Sequence, residues 1–209
     1  MSDPAGRAKG MLIVVSAPSG TGKTSLCRKV LAMFPELRFS VSWTTRPPRP
    51  GEREGQDYRF TSEAEFRRRI AQGEFVEWVE NYGHLYGTSI RTVESFLDQG
   101  HDLLLDVDPR GARAIKERFP SGVFVFLLPP SIAALEIRLS RRGESTDVMA
   151  TRLAKAKDEI REMIWYDYLI VNDRLDEAVD RLRAVYVAET CRRERVRDRM
   201  RGDLQSLTG

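Results

Sequence analysis

The chain has 209 residues, 41% of them apolar, and a formal charge of +3, which suits one buried core with inserted pieces and excludes a disordered polymer. So small a charge gives no reason to expect a nucleic-acid partner, and no apolar run is long enough to cross a bilayer. The two cysteines, Cys27 and Cys191, have no metal-ligand spacing and read as thiols of a reducing, cytoplasmic setting.

Residues 1–10 are expected to be disordered. Lys9 ahead of the apolar run 11–15 imitates the start of a secretory signal, but the run is too short and leads straight into a glycine loop. The run 11–16 is therefore read as a strand, and 24–34 as a helix stopped by Pro35. A short extended piece at 38–42 and a Pro- and Arg-rich loop at 44–55 follow, then a strand at 58–60. Ser62 is the expected N-cap of a helix over 62–72, with Glu65 completing a capping box. Residues 75–80 alternate apolar and acidic side chains, as a half-buried strand should, and 86–89 leads into a helix over 90–99 ended by Gly100. Strands are expected at 102–107, 123–128 and 168–171, and helices at 111–118, 131–142 and 147–164. The pattern at Leu175, Val179, Leu182, Val185 and Tyr186 predicts one long helix over 175–199.

Strands 11–16, 103–107, 123–128 and 168–171 read as buried on both faces, which is how parallel strands between helices look. Region 44–80 is polar and Arg-rich with short alternating strands, and reads as an antiparallel α+β insertion carrying a second substrate. The expectation is a parallel α/β core with that insertion and a mobile arginine-bearing lid.

The most specific stretch runs from Ala17 to Thr24, Ala-Pro-Ser-Gly-Thr-Gly-Lys-Thr, between the first strand and the first helix. That context matches the phosphate-binding loop G-x-x-x-x-G-K-S/T, with Ala17 in place of the first glycine. Gly20 and Gly22 let backbone N–H groups close on phosphate oxygens, and the following helix adds its positive end. Lys23 would reach the β- and γ-phosphates, and the Thr24 hydroxyl would ligate Mg²⁺.

With that loop in place, the chain resembles guanylate kinases of the bacterial type from about residue 11 to 182. The matching stretches are 16–25, 39–49, 57–60, 73–78, 86–88, 105–111, 126–131, 152–160 and 166–173. The resemblance implies the P-loop nucleoside monophosphate kinase fold, a parallel five-stranded α/β core sheet with a GMP-binding insertion and a helical lid. It divides the chain into a core (11–41, 98–139 and 157–209), a GMP-binding region (42–97) and a lid (140–156). It also implies ATP + GMP → ADP + GDP with Mg²⁺. ATP would lie on Ala17, Pro18, Ser19, Gly20, Thr21, Gly22, Lys23, Thr24 and Ser25, with Arg138 and Asn172 beside the adenine.

Guanine presents N1–H and its 2-amino group side by side, so a carboxylate suits that edge and a hydroxyl can answer O6. By resemblance the carboxylate is Glu77, in G-E-F-x-E-W, and the hydroxyls are Ser42 and Thr88. On the residues alone, Glu77 fits the solvent face of a strand equally well. Arg46 and Arg49, spaced by prolines in T-T-R-P-P-R, would hold the GMP phosphate bidentately, with Tyr58 and Tyr86. Asp106 and Asp108, after the apolar run 103–105, are assigned to the site without dividing their roles. Arg142 and Arg152 match the lid arginines that close over the transferring phosphate. The lid is one residue short of the usual pattern, so Arg141 competes with Arg142. Lys23, Arg46, Arg142 and Arg152 form the expected catalytic set. Asp108-Pro109-Arg110-Gly111 departs from the family's D-x-Q-G, and Arg110 could alter acceptor affinity or point outward.

Three rivals share parts of this pattern. A kinase for a ribose bisphosphate would keep the core but not Glu77 with Ser42. A guanylate-kinase-like scaffold module would lack the intact Gly22-Lys23-Thr24. A nucleic-acid binder would rest on the tail 192–201 alone, where arginines alternate with Glu194 and Asp198 as on a solvated face. His84 and His101 read as structural or exposed. Expected partners are ATP and GMP, with no nucleic acid or membrane, and the C-terminal helix offers a surface for self-association.

Overall fold

Strand β1 (Leu12–Ser16) lies at the centre of a parallel five-stranded sheet. The order is β2-β7-β1-β8-β9, with β2 at Arg38–Phe39, β7 at Leu103–Val107, β8 at Val123–Leu128 and β9 at Tyr168–Val171. The computed structural model describes residues 8–81, 83–140 and 146–200. Side chains alternate along β1 and feed two cores. Ile13 and Val15 pack with Leu26 and Val30 of α1 (Lys23–Met33) and with Val179 and Leu182 of α7 (Leu175–Thr190). Leu12 and Val14 pack with Val93 and Leu97 of α3 (Ile90–Asp98) and Ala112 and Ile115 of α4 (Pro109–Arg118).

The insertion forms a second sheet of order β4-β3-β6-β5, with β3 at Trp43–Thr44, β4 at Arg59–Phe60, β5 at Phe75–Asn81 and β6 at His84–Ser89. It is mixed rather than antiparallel: β3 pairs with β4 in parallel, because the loop between them crosses back to the same end, while β6 runs antiparallel to β3 and β5. Helix α2 (Glu63–Ala71) is capped by Ser62, whose hydroxyl accepts from the Glu65 amide at 3.2 Å; the Glu65 carboxylate turns to Arg68 and Arg69. Helices α5 (Ile132–Ser140) and α6 (Thr146–Arg161) meet at Leu135, Leu139 and Ala156.

Several sequence expectations need correcting. Strand β9 is an edge, with Leu169 50% exposed and Val171 40% exposed, because only β8 pairs with it. The helix expected over 147–164 ends in a 3₁₀ turn at Glu162–Trp165. The helix expected at 111–118 starts earlier, at Pro109, because Asp108 caps it and proline suits a first turn. Of the segment expected to be disordered, residues 1–7 lie outside the described residues, while the Gly10 amide donates to the Leu97 carbonyl at 2.8 Å. The single C-terminal helix is two, α7 and α8 (Arg193–Arg199), with a turn between them. That turn lets Arg192 reach the buried Glu189 carboxylate at 2.9 Å and brings Arg199 to Asp102 at 3.0 Å. Asp102 is itself buried and also accepts from the Met11 amide and the Tyr186 hydroxyl. Among the described residues, no helix is long and apolar enough to cross a membrane.

Candidate active site

The main cleft opens at the C-terminal ends of β1 and β7, with the second sheet as its far wall. Its floor is the loop from Ala17 to Ser25. Gly20 and Gly22 have φ of 89° and 94°, a conformation that glycine adopts at no steric cost. Side chains are also excluded by space. A Cβ at Gly20 would lie 2.8 Å from Leu139 of α5, and one at Gly22 would lie 2.7 Å from Asn172 Nδ2. The Asn172 amide in turn donates to the Thr21 carbonyl at 2.7 Å, so the residue after β9 holds the loop from behind.

Lys23 pairs with the Asp106 carboxylate and donates to the Val107 carbonyl, both at the end of β7. Burial pulls its pKa down, but the Asp106 charge and hydrogen bond outweigh that, so the net shift is upward and the ammonium stays charged. The Thr24 hydroxyl donates to Asp106 Oδ2 at 3.2 Å. Two hard oxygens thus meet beside the helix N-terminus, which is the kind of donor set Mg²⁺ takes together with phosphate oxygens and water. Among the described residues, no group of three or more His, Cys, Asp or Glu forms a metal cage, so an ion here would draw most of its ligands from substrate and solvent.

Glu77 faces the cleft from β5 and is 7% exposed. Thr88 of the paired strand β6, itself buried, donates its hydroxyl to Glu77 Oε1 at 2.6 Å. Burial raises the Glu77 carboxyl to about 7; the Thr88 bond works against that rise and Asp108 adds to it. The neighbour Trp78 is 45% exposed. At Glu77 and Trp78 the strand thus runs against an acidic-out, apolar-in alternation, whereas Val79 and Glu80 follow it. The inward face of the strand carries Glu77, Val79 and Asn81, all three lining the cleft.

Arg46 is held by Glu52 through a pair of bonds of 2.8 and 2.9 Å, and its guanidinium lies 5.4 Å from the Tyr58 ring centre. The Glu52 bond, first among the causes, raises the Arg46 pKa, and the same bond lowers that of Glu52. The Tyr58 and Tyr86 rings are 6.0 Å apart, and both tyrosines line the cleft with Ser42 and Arg49. Burial, then the Asp106 charge, raises the Tyr58 phenol. From the lid side, α6 sends in Arg152, Lys155 and Glu159.

The family model for guanylate kinase matches residues 9–189. A guanylate kinase of Syntrophus aciditrophicus is 52% identical over 199 residues, covering 95% of this chain and 96% of the relative. One of Symbiobacterium thermophilum is 54% identical over 187 residues, covering 89% of each. The crystal structure of guanylate kinase from Anaplasma phagocytophilum superposes with a TM-score of 0.76 at 33% identity, covering 95% of this chain and 97% of that one. This chain belongs to the guanylate kinase family.

The expected residues fall into four groups. Ala17 to Ser25, Ser42, Arg49, Tyr58, Glu77, Tyr86, Asp106, Asp108 and Arg152 share one cleft lining. Thr88, Asn172 and Arg46 stand behind that lining, bonded to Glu77, the Thr21 carbonyl and Glu52. Arg138 is further off and donates to the Asp173 carbonyl at 3.1 Å. Arg141 and Arg142 lie outside the described residues. Two roles are sharper than the sequence implied. Asp108 spends Oδ1 on the Gly111 amide at 2.8 Å as the cap of α4, and only its remaining oxygen is left to face the cleft. Arg110 is exposed and is not part of the cleft lining; it borders an adjoining depression that shares Lys155 and Glu159 with the cleft. Asn81, Lys155 and Glu159 were not expected. Lys155 and Glu159 follow Arg152 at helical spacing of three and seven, and that spacing was the available signal.

Proposed function

We propose that this protein transfers the γ-phosphoryl group of ATP to GMP, giving ADP and GDP. The observation that carries the reading is the buried Glu77–Thr88 pair on the wall facing the phosphate loop. With Oε1 engaged by a donor, Oε2 remains as an acceptor for the adjacent N1–H and 2-amino protons of guanine. Adenine offers an acceptor at N1, which would face a lone pair, and a buried polar site penalises such a mismatch by ~10⁴-fold.

The donor triphosphate lies in the loop Ala17–Ser25, where Lys23 neutralises charge on the transferred group. Mg²⁺ would be held by the Thr24 hydroxyl, with Asp106 oriented towards its water shell; when bound, the ion supplies charge neutralisation at the phosphates. The GMP phosphate takes Arg46, Arg49, Tyr58 and Tyr86. Arg46 is already ordered by Glu52, so little side-chain entropy remains to be lost on binding. No protein nucleophile is required, because the acceptor phosphate is itself an anion; alignment and charge neutralisation do the rest. Arg152, with Arg142, brings positive charge from the lid and excludes water. The intact loop favours an enzyme over a scaffold module. In the tail, the arginines from 192 to 199 face Glu189, Glu194, Asp198 and Asp102, which supports a solvated face rather than a nucleic-acid surface. The unpaired thiols of Cys27 and Cys191 suit the cytoplasm.

A coupled assay offering GMP, AMP, UMP and CMP in turn tests the reading. GMP should exceed each of the others by at least ~10³-fold in kcat/KM. Equal rates with AMP would remove the guanine assignment.

A further inference from the structure

Helix α6 does more than carry Arg152. Lys155, three residues on, donates its ammonium to Asn81 Oδ1 at 3.1 Å, and Glu159 pairs with the same ammonium at 3.6 Å. Lys155 and Glu159 are largely covered, with side-chain exposures of 33% and 13%. Burial, ahead of the opposing Lys155 charge, raises the Glu159 carboxyl, which identifies its surroundings as a poorly hydrated part of the cleft. Asn81 sits four residues beyond Glu77 on β5, and by the period of a strand both side chains leave the same face. One ammonium therefore ties the helix that carries a lid arginine to the strand that carries the base-reading carboxylate.

We propose that Lys155 is a positioning residue that latches α6 onto β5 through Asn81, coupling the lid to occupancy of the acceptor wall. This rests on the function proposed above for Glu77 and Arg152. Anything that fixes β5, such as a base bound to Glu77, also fixes the oxygen that Lys155 holds, and the lid follows. Glu159 keeps the ammonium extended towards Asn81 rather than folded back along its helix. The coupling is reciprocal: a lid held down by the latch favours the acceptor by the same factor.

The test uses Lys155→Met, Asn81→Ala, the double variant and Lys155→Arg in the full chain. Removing a charge-assisted bond of this kind should lower kcat/KM for GMP by about 5–50-fold in each single variant. The double variant should fall no further, since both changes break one bond, and Lys155→Arg should recover most of the loss. ATP affinity measured without GMP should not change. A second readout does not depend on turnover. Spin labels at Asp158 on α6 and Arg67 on α2, both exposed, in a Cys191→Ser background report the distance from lid to insertion. That distribution should broaden in Lys155→Met without nucleotide. Multiplicative losses in the double variant, or an unchanged distribution, would overturn the latch. A wild-type chain inactive on GMP would instead overturn the function, and the label distances would still judge the latch.

Discussion

Replacing Glu77 with Gln should make the protein more stable and nearly inactive at once. In the folded chain, burial lifts the Glu77 carboxyl from its ordinary 4.5 to about 7. Below pH 4.5 the group is protonated whether folded or not, and it contributes no difference. As the pH rises towards 7 the unfolded chain ionises freely while the folded chain resists, so folding loses stability, and above about 7 the loss is complete. The full rise corresponds to roughly 3 kcal/mol. Gln has the same shape and carries no charge, so Glu77→Gln should recover much of that amount at pH 8.5 and almost none at pH 4.5. For a chain of this length 1 kcal/mol moves Tm by about 2–4 °C, so a gain of several degrees is expected at the higher pH only. Thr88 will still donate to the carbonyl of the amide, which turns the NH₂ towards the cleft. Two guanine donors then face a donor, and bonds to a charged acceptor worth roughly 1.5–3 kcal/mol each are lost. The fall in kcat/KM for GMP should be on the order of 10²–10⁴-fold. Thermal unfolding at both pH values and GMP kinetics check the pair of effects. An unchanged Tm at pH 8.5, or GMP activity within threefold of wild type, refutes the buried-acceptor account of Glu77.

The same carboxyl predicts a pH profile. Guanine binding needs the ionised form, so KM for GMP should fall as pH rises through about 7, while the affinity for ATP alone stays flat; parallel profiles for the two nucleotides would exclude Glu77 as the cause. Gly111→Ala should favour helix α4 on propensity alone, yet its new Cβ would stand 2.7 Å from Glu77 Oε2. Steady-state kinetics should show a rise of about 10-fold or more in KM for GMP without loss of ATP affinity. Asn172→Ala leaves the buried Thr21 carbonyl without its donor, at a cost of about 1–3 kcal/mol, and chemical denaturation together with calorimetric ATP titration should show both stability and ATP affinity reduced.

Local sequence chemistry carried most of the core. The glycine loop between strand and helix, the apolar strand at 123–128 and the Ser62 cap were all readable because short-range steric and hydrogen-bonding rules decide them. Where a long-range contact decided, the local pattern left the answer open or pointed the wrong way. Glu77 among Val76 and Trp78 follows a solvent-facing pattern, and only its packing under α4 and its bond to Thr88 turn it inward. The break after Thr190 has no proline or glycine to announce it; it follows from Arg199 reaching Asp102, 97 residues away in the chain. Asp108 carried two signals at once, an acid at a strand end and a cap ahead of proline, and the cap claims one of its oxygens. Lys155 and Asn81 belong to segments remote in sequence, so neither flags the other.

The tie between Asn172 and Thr21 spans 151 residues and has a consequence for biosynthesis. A ribosome adding about 5–20 residues per second reaches Asn172 about 8–30 s after it has made the loop. The central strand gains its neighbours β7 and β8 earlier, but β9, which leads into Asn172 and pairs with β8, is made only just before it. Nascent or truncated chains that stop short of Asn172 should therefore hold the loop poorly, so nucleotide competence should arrive only after β9 and Asn172 have been translated.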